Sequence, residues 1–381
     1  GMMMDYETLR FVWWVLIGVL LIGFAVTDGF DMGVATLLKV VGRNDLERRV
    51  MINSMAPHWD GNQVWLVTAG GALFAAWPPV YATAFNGFYF ALMLTLFALF
   101  LRPLAFDYRS KLDNPTWRSR WDWGLTIGSA VPALIFGVAF GNLLQGVPFQ
   151  FDDYLRLEYQ GGLLGLLNPF ALLAGLLSLL MFVTHGAAWL QLKTEGELRR
   201  RSAAIGSLTA LVCAALFVLG GVWLLWGVDG YEVASVIDTQ GYNDTTGKIV
   251  TVSVGGWMTN YSRFPLLWLL PIVGVLGFVL CSLTMKLGRH ALAFTSSAIA
   301  MAMVVVTTGV TMFPFVMPST LNPNHSLTMW DATASELTLK IMFVVVCIFV
   351  PLILLYTAWS YWVMRGRLNE QFIRDNDKAL Y

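Results

Sequence analysis

Charge is what this chain has least of. Asp, Glu, Lys and Arg together make up 13% of its 381 residues, roughly half the share usual in water-soluble domains. The 24 basic and 24 acidic side chains cancel, so there is no basic field with which to hold nucleic acid. The three cysteines, Cys213, Cys281 and Cys347, all lie in apolar runs. Their odd number and spacing exclude a disulfide framework and a zinc site, and no metal ligands are expected. Histidine is as scarce: His58, His185, His290 and His325. No His-Glu-x-x-His helix, P-loop, dinucleotide fingerprint or Gly-x-Ser-x-Gly elbow occurs, and there is no low-complexity tract or clear repeat. What the chain has instead is apolar length, with 57% hydrophobic residues and a mean hydropathy of +0.64. A disordered chain cannot have that composition. An all-α integral membrane protein does.

A bilayer core takes about 20 apolar helical residues per crossing. Nine runs meet that length, near 9–28, 62–80, 82–101, 123–142, 163–185, 204–227, 265–285, 291–313 and 341–363. Nine transmembrane helices are therefore expected. The segments 39–49, 102–120, 193–201, 286–289 and the tail after 364 hold 19 of the 24 Lys and Arg residues; the alternate segments hold only Arg10, Arg156, Lys248, Arg263 and Lys340. The basic side should be cytoplasmic, which puts the N-terminus outside and the C-terminus inside. No cleaved signal is expected from the opening Gly1–Met4, which lacks a basic stretch and a cleavage site. The longest outer loop, about 229–264, is expected to be irregular, and its stretch 247–254 (GKIVTVSV) is the one strand-like piece. Small residues at four-residue spacing, as in Gly29/Gly33, Gly124/Gly128 and Gly137/Gly141, allow close helix packing.

Ionisable groups at membrane depth carry most information, because they are costly there and usually functional. Asp28 and Asp31 are three apart and share a helix face near the inner end of the first run. A carboxylate at a helix C-terminus opposes the macrodipole, so either the helix continues to about Lys39 or these acids are paired or protonated. Arg102 interrupts an apolar run at the same level, and a structural pair between it and Asp28 or Asp31 is one reading. A proton-accepting site open to the cytoplasm is the other. The segment APHWDGNQVW (56–65) opens the second run, where Asp60 and Gln63 have the spacing of a capping box. A buried Asp60 could also carry protons, and Trp65 could line a path or anchor the interface. Only His185 lies within a span, so a pair of facing histidines for haem is poorly supported. These features fit a membrane subunit that moves protons or supports a partner; the alternative is a stand-alone proton-coupled transporter. A polar cluster at one face, with no matched pair of helix interruptions, weighs against the transporter.

Several long strings carry a resemblance. DYETLRFVWWVLIGVLLIGFAVTDGFDMG, GRNDLERRVMINSMAPHWDGNQVWLVTAGGALFAAWP, RPLAFDYRSK, GVAFGNLLQGVPF, MFPFVMPS and LTMWDAT resemble subunit II of cytochrome bd quinol (ubiquinol) oxidase, over nearly the whole chain from about residue 5 to Tyr381. The likeness is greatest to the enterobacterial-type proteobacterial branch. It implies two four-helix bundles plus a peripheral helix: a first bundle over 1–160, a second over 161–336, and the peripheral ninth helix with a cytoplasmic tail over 337–381. It implies a bacterial inner-membrane complex that oxidises quinol, reduces dioxygen to water and builds a proton gradient without pumping. Two b-type haems and one d-type haem are expected on a partner, subunit I, so this chain should contain no catalytic residues of its own. Small single-helix subunits and a structural ubiquinone on this chain are further expectations. Residue by residue, Asp60 corresponds to the family's acid on the proton entry path and Trp65 to a residue beside the proposed dioxygen route. Asp28 and Asp31 match the family's first helix, in a structural or proton-related role. Tyr381 matches the family's end and is expected near the same proton entry.

Overall fold

The computed structural model describes residues 4–363, 365–376, 380 and 381, and of Asp60 only its backbone. Helix α1 runs Tyr6–Thr36, opened by Asp5, whose Oδ1 accepts from Thr8 N at 2.8 Å. At about 1.5 Å per residue it is some 46 Å long, well beyond the roughly 30 Å apolar core of a bilayer. Asp28 and Asp31 therefore lie inside the helix rather than at its end. Residues 27–35 are all buried.

Helix α2 spans Asp45–Ala76. Asn44 caps it, with Oδ1 accepting from Glu47 N at 2.8 Å, and the Glu47 carboxylate reaches back to Arg43 N at 3.0 Å. This corrects the expected start at Asp60: the helix is already four turns old there, passes through Pro57, and has no N-terminus for an Asp60/Gln63 box to cap. It ends at Trp77, before Pro78 and Pro79. Proline lacks the N–H that would continue the ladder and pushes the residue before it out of the helical region; Trp77 sits at φ −128°, ψ 66°. The chain then bends by 113° into α3 (Pro78–Gly87), followed by α4 (Tyr89–Tyr108). Two straight spans at 62–80 and 82–101 are thus replaced by a bent pair and a separate helix.

Five more helices complete the bundle before the last: α5 (Pro115–Gln145), α6 (Pro169–Lys193), α7 (Gly196–Gly227), α8 (Leu269–Lys286) and α9 (His290–Met312). The final long helix is α10 (Glu336–Val363). Among the described residues eight helices are long and apolar enough to cross a membrane, or nine if the bent pair counts as one span. The protein is an all-α membrane protein with minor sheets. Helix α1 is central, packed on α2, α5, α6, α9 and α10. Its closest crossing is with α6, where Gly33 and Gly186 meet backbone to backbone.

Three two-stranded antiparallel hairpins gather at one end. They are β1 (Phe149–Phe151) with β2 (Leu157–Tyr159), β3 (Asp229–Val233) with β4 (Val250–Val254), and β5 (Phe315–Met317) with β6 (Leu327–Thr328). The outer loop is therefore less irregular than expected: the alternating, β-branched VTVSV pairs along its length with DGYEV. His325 ties the hairpins, accepting from Phe151 N at 3.0 Å through Nδ1, while Asn324 Oδ1 accepts from Val250 N at 2.8 Å. The opposite end holds the basic loops. Arg109 pairs with Asp122 and with Asp45, at 2.5 and 2.8 Å, Arg118 pairs with Asp45 at 2.6 Å, and Arg201 pairs with Glu47.

Candidate functional site: a buried carboxylate network

Asp28 and Asp31 are fully buried and Arg102 is 1% exposed. Arg102 comes from α4 and donates through Nη2 to Asp28 Oδ1 at 3.2 Å. Asp31 is served from the other side. Asn62 of α2 donates through Nδ2 to Asp31 Oδ2 at 2.9 Å and to the Thr27 carbonyl at 3.2 Å. The Asn62 amide is oriented in turn by Tyr361 of α10, whose hydroxyl donates to Asn62 Oδ1 at 2.6 Å. Four helices thus meet at two acids. The i,i+3 spacing on α1 puts both carboxylates on the face that α2, α4 and α10 cover. A low-dielectric site tolerates such groups only when they are paired and hydrogen-bonded.

A row of rings leads away from this network. The Arg102 guanidinium lies 5.8 Å from the Trp59 ring; Trp59 packs edge-on to Phe106 at 5.7 Å; Phe106 lies 5.9 Å from the Tyr381 ring. The backbone of Tyr381 is clamped on α2: its carbonyl accepts from Arg49 Nε at 2.9 Å and from Asn53 Nδ2 at 3.1 Å, and its N–H donates to Asn53 Oδ1 at 3.0 Å. Trp65 stands apart, 4% exposed, with Nε1 donating to Thr357 Oγ1 at 3.4 Å and its ring filling the space left by Gly23 of α1. The structure therefore brings together Asp28, Asp31 and Arg102, places Tyr381 at the far end of the ring row, and sets Trp65 at the contact of α1, α2 and α10. The side chain of Asp60 lies outside the described residues; its backbone belongs to α2, between Trp59 and Asn62. Asn62 and Tyr361 were not singled out from sequence. The signal for Asn62 was its place in the polar string 58–63; Tyr361, in a run of aromatic residues near a helix end, reads like any interfacial anchor.

Two of the four histidines, His185 and His325, commit both ring nitrogens within the chain. His185 spends both ring nitrogens, Nδ1 on Ser297 Oγ at 2.5 Å and Nε2 on the Val26 carbonyl at 2.8 Å. His58 is walled by Trp189, Tyr361 and Phe30. His325 is bound to Phe151 and Asn322 among the hairpins. The Nδ1 atoms of His58 and His290 are buried without a hydrogen-bond partner among the described residues.

Long apolar helices, close glycine crossings such as Gly33 on Gly186, and a buried ionic network define a polytopic membrane protein with charged groups inside its bundle. Its relatives narrow this further. The description "Cytochrome bd terminal oxidase subunit II" matches residues 9–364, and the chain belongs to that family. It is 56% identical over 379 residues to "Cytochrome bd-I ubiquinol oxidase subunit 2" of Escherichia coli (strain K12), covering 100% of both chains. It is 30% identical over 364 residues to "Cytochrome bd ubiquinol oxidase subunit 2" of Bacillus subtilis (strain 168), covering 96% of this chain and 98% of that one. In fold it is similar to a chain of the bd oxidase from Geobacillus thermodenitrificans, with a TM-score of 0.62 at 14% identity over 94% of this chain and 97% of that one.

Proposed function

We propose that this chain is the non-haem-ligating subunit of a quinol-oxidising terminal oxidase, that it stabilises a larger subunit I as a heterodimer, and that it supplies part of the proton supply for dioxygen reduction. The full-length 56% identity to a ubiquinol oxidase subunit carries the assignment. The haems of the complex, two b-type and one d-type, then reside on subunit I, where they supply electron transfer and oxygen activation. The engagement of His185 and His325 and the walling of His58 support that division. Nine crossings follow if the bent α2–α3 pair is one span, arranged as two four-helix bundles (1–160 and 161–336) with α10 and the tail (337–381) peripheral. The excess of Lys and Arg at one end supports an inner-membrane orientation with the N-terminus periplasmic and the C-terminus cytoplasmic. Small single-helix subunits and a structural ubiquinone remain part of this reading.

The proton role rests on the four-helix meeting at Asp28 and Asp31. Asp60, Asp28, Asp31 and Tyr381 form the candidate path, entered from the basic end where Tyr381 is clamped; Trp65, at the α1–α2–α10 contact, is the candidate wall of an oxygen route. Arg102 acts as a structural counter-charge. Asp60→Asn in the purified complex is expected to slow oxygen consumption with haem content retained. Unchanged turnover would refute the relay, and loss of haem would make Asp60 an assembly residue instead.

A further inference from the structure

Among the described side chains, two acids and one guanidinium are sealed at the α1–α2–α4–α10 meeting, and their charges do not balance. Among the described residues Arg102 forms its ion pair with Asp28, through Asp28 Oδ1. Asn62 serves Asp31 through Oδ2 and brings no charge. Two buried oxygens are left without a donor, Asp28 Oδ2 and Asp31 Oδ1. The two side chains lie on successive turns of one buried face of α1. Ionised carboxylates only accept, so two of them cannot satisfy each other, whereas a protonated one donates. A single proton answers both problems: it neutralises the surplus charge and gives each orphaned oxygen its partner.

We infer that the Asp28–Asp31 pair holds one resident proton, carried on Asp31 Oδ1 and donated to Asp28 Oδ2, with Tyr361 as the residue that positions it. Asp28 is the ionised member because the guanidinium is its neighbour. Asp31 is the protonated member because its only other partner is a neutral amide. Asn62 could present either end of its amide to Asp31. The Thr27 carbonyl, which can only accept, takes a bond from the same Nδ2 and so fixes the N–H end toward Asp31 Oδ2, and the Tyr361 hydroxyl, donating to Asn62 Oδ1, holds the amide there. That leaves Oδ2 as the carbonyl oxygen of the acid and Oδ1 as its hydroxyl. Among the described side chains, the titratable or charged groups acting on Asp31 are Asp28 of its own helix, Arg102 of α4 and Tyr361 of α10. The inference deepens the proton-path reading and relies on it only for what the proton is used for.

Infrared spectroscopy of the purified complex tests it directly, by exchange from H2O to D2O. A protonated carboxyl gives a C=O stretch well separated from the carboxylate bands, and that stretch moves on deuteration. Asp31→Asn, which puts a neutral amide where a neutral acid stood, is expected to accumulate with its haems and to lose one such band. Tyr361→Phe is expected to keep the band and shift it, since Asn62 loses the donor on its Oδ1 and its N–H bond to Asp31 changes in strength; a variant altered only in packing would leave its frequency in place. A band that persists undiminished in Asp31→Asn, or stays unshifted in Tyr361→Phe, overturns the inference. If Asp31→Asn fails to accumulate, the Tyr361→Phe shift decides alone. No exchangeable band in the parent, together with a stability that depends on sodium or potassium, would put a metal cation at the pair and overturn it too. Loss of the band with oxygen consumption unchanged would support the resident proton while refuting its transit to oxygen, so the two readings fail separately.

Discussion

Replacing Gly33 with alanine is the sharpest test of how this bundle is held. A methyl group built at Gly33 runs into the carbonyl oxygen of Phe182, and stands 2.8 Å from Phe182 C and 2.9 Å from the Gly186 Cα. The reciprocal methyl at Gly186 would stand 2.5 Å from Gly33 C and Val34 N. Carbon atoms settle at about 3.5–4.0 Å, so α1 and α6 would have to part by roughly 1 Å. All the obstructing atoms are backbone, and no side chain can swing away. Overpacking costs typically ~1–3 kcal/mol when side chains can adjust, so the upper end, about 3 kcal/mol, is expected here. A gap of that size also forfeits up to about half of each contact's attraction along the seam. The assay is the thermal melting midpoint of the purified complex, with its haem content. The control is Gly221→Ala on α7, where nothing lies within 4 Å and the helix gains up to about 1 kcal/mol of propensity. A Gly33→Ala complex that melts like the Gly221→Ala control would refute the reasoning, because it would mean that the helices do not approach this closely.

Three further outcomes follow from the geometry. Asp28→Asn leaves Arg102 buried without its charge partner and should cost about 3–5 kcal/mol, seen as poor accumulation of the complex; pairing it with Arg102→Met should restore much of the yield, and failure to do so would mean that the pair is not a unit. At the hairpin end, His325 is held below its ordinary value of 6.5, first by burial and second by Lys248. A lowered histidine value means that the folded state refuses a proton the unfolded chain takes, so this contribution is complete above about 6.5 and is lost as pH falls toward the lowered value. Hydrogen-exchange protection at Phe151, corrected for intrinsic rates, should therefore fall on acidification and lose that dependence in His325→Gln; a parent profile flat with pH would refute it. Gly23→Ala should displace the Trp65 ring, which fills the space a Cβ would need, and so shift tryptophan fluorescence; an unmoved spectrum would show the ring to be free.

Much of this architecture was legible in composition and run length, because lipid demands about 20 apolar residues per crossing and nothing subtler. The helix at 82–101 was misplaced for a local reason: Trp77-Pro78-Pro79 stops a helix inside an apolar run, and hydropathy alone does not register a missing N–H. Asp60 with Gln63 looked like a cap, but α2 starts sixteen residues or so earlier at Asn44, whose spacing to Glu47 carries the same signature in a polar context. The strand at Val250–Val254 was visible as alternation, yet its partner DGYEV contains Gly, Asp and Glu and does not read as a strand by itself. At the network, the acids and Arg102 could be found because charge is rare in such a chain. Asn62 and Tyr361 could not, because their importance comes from a contact 299 residues apart in sequence.

Helix α10 is mostly uncovered by the rest of the chain, yet it supplies the hydroxyl that orients Asn62. A helix with so little internal support takes its exact seat from whatever else lies against it in the bilayer. Its position and the state of the acids are then two ends of one equilibrium. Any neighbour that grips α10 differently when Asn62 is held or released must favour one state of Asp31, and the favour is returned in equal measure. Protonation would thus be felt as a change in grip at the edge of the subunit, and a change in grip as a change in proton affinity at its centre.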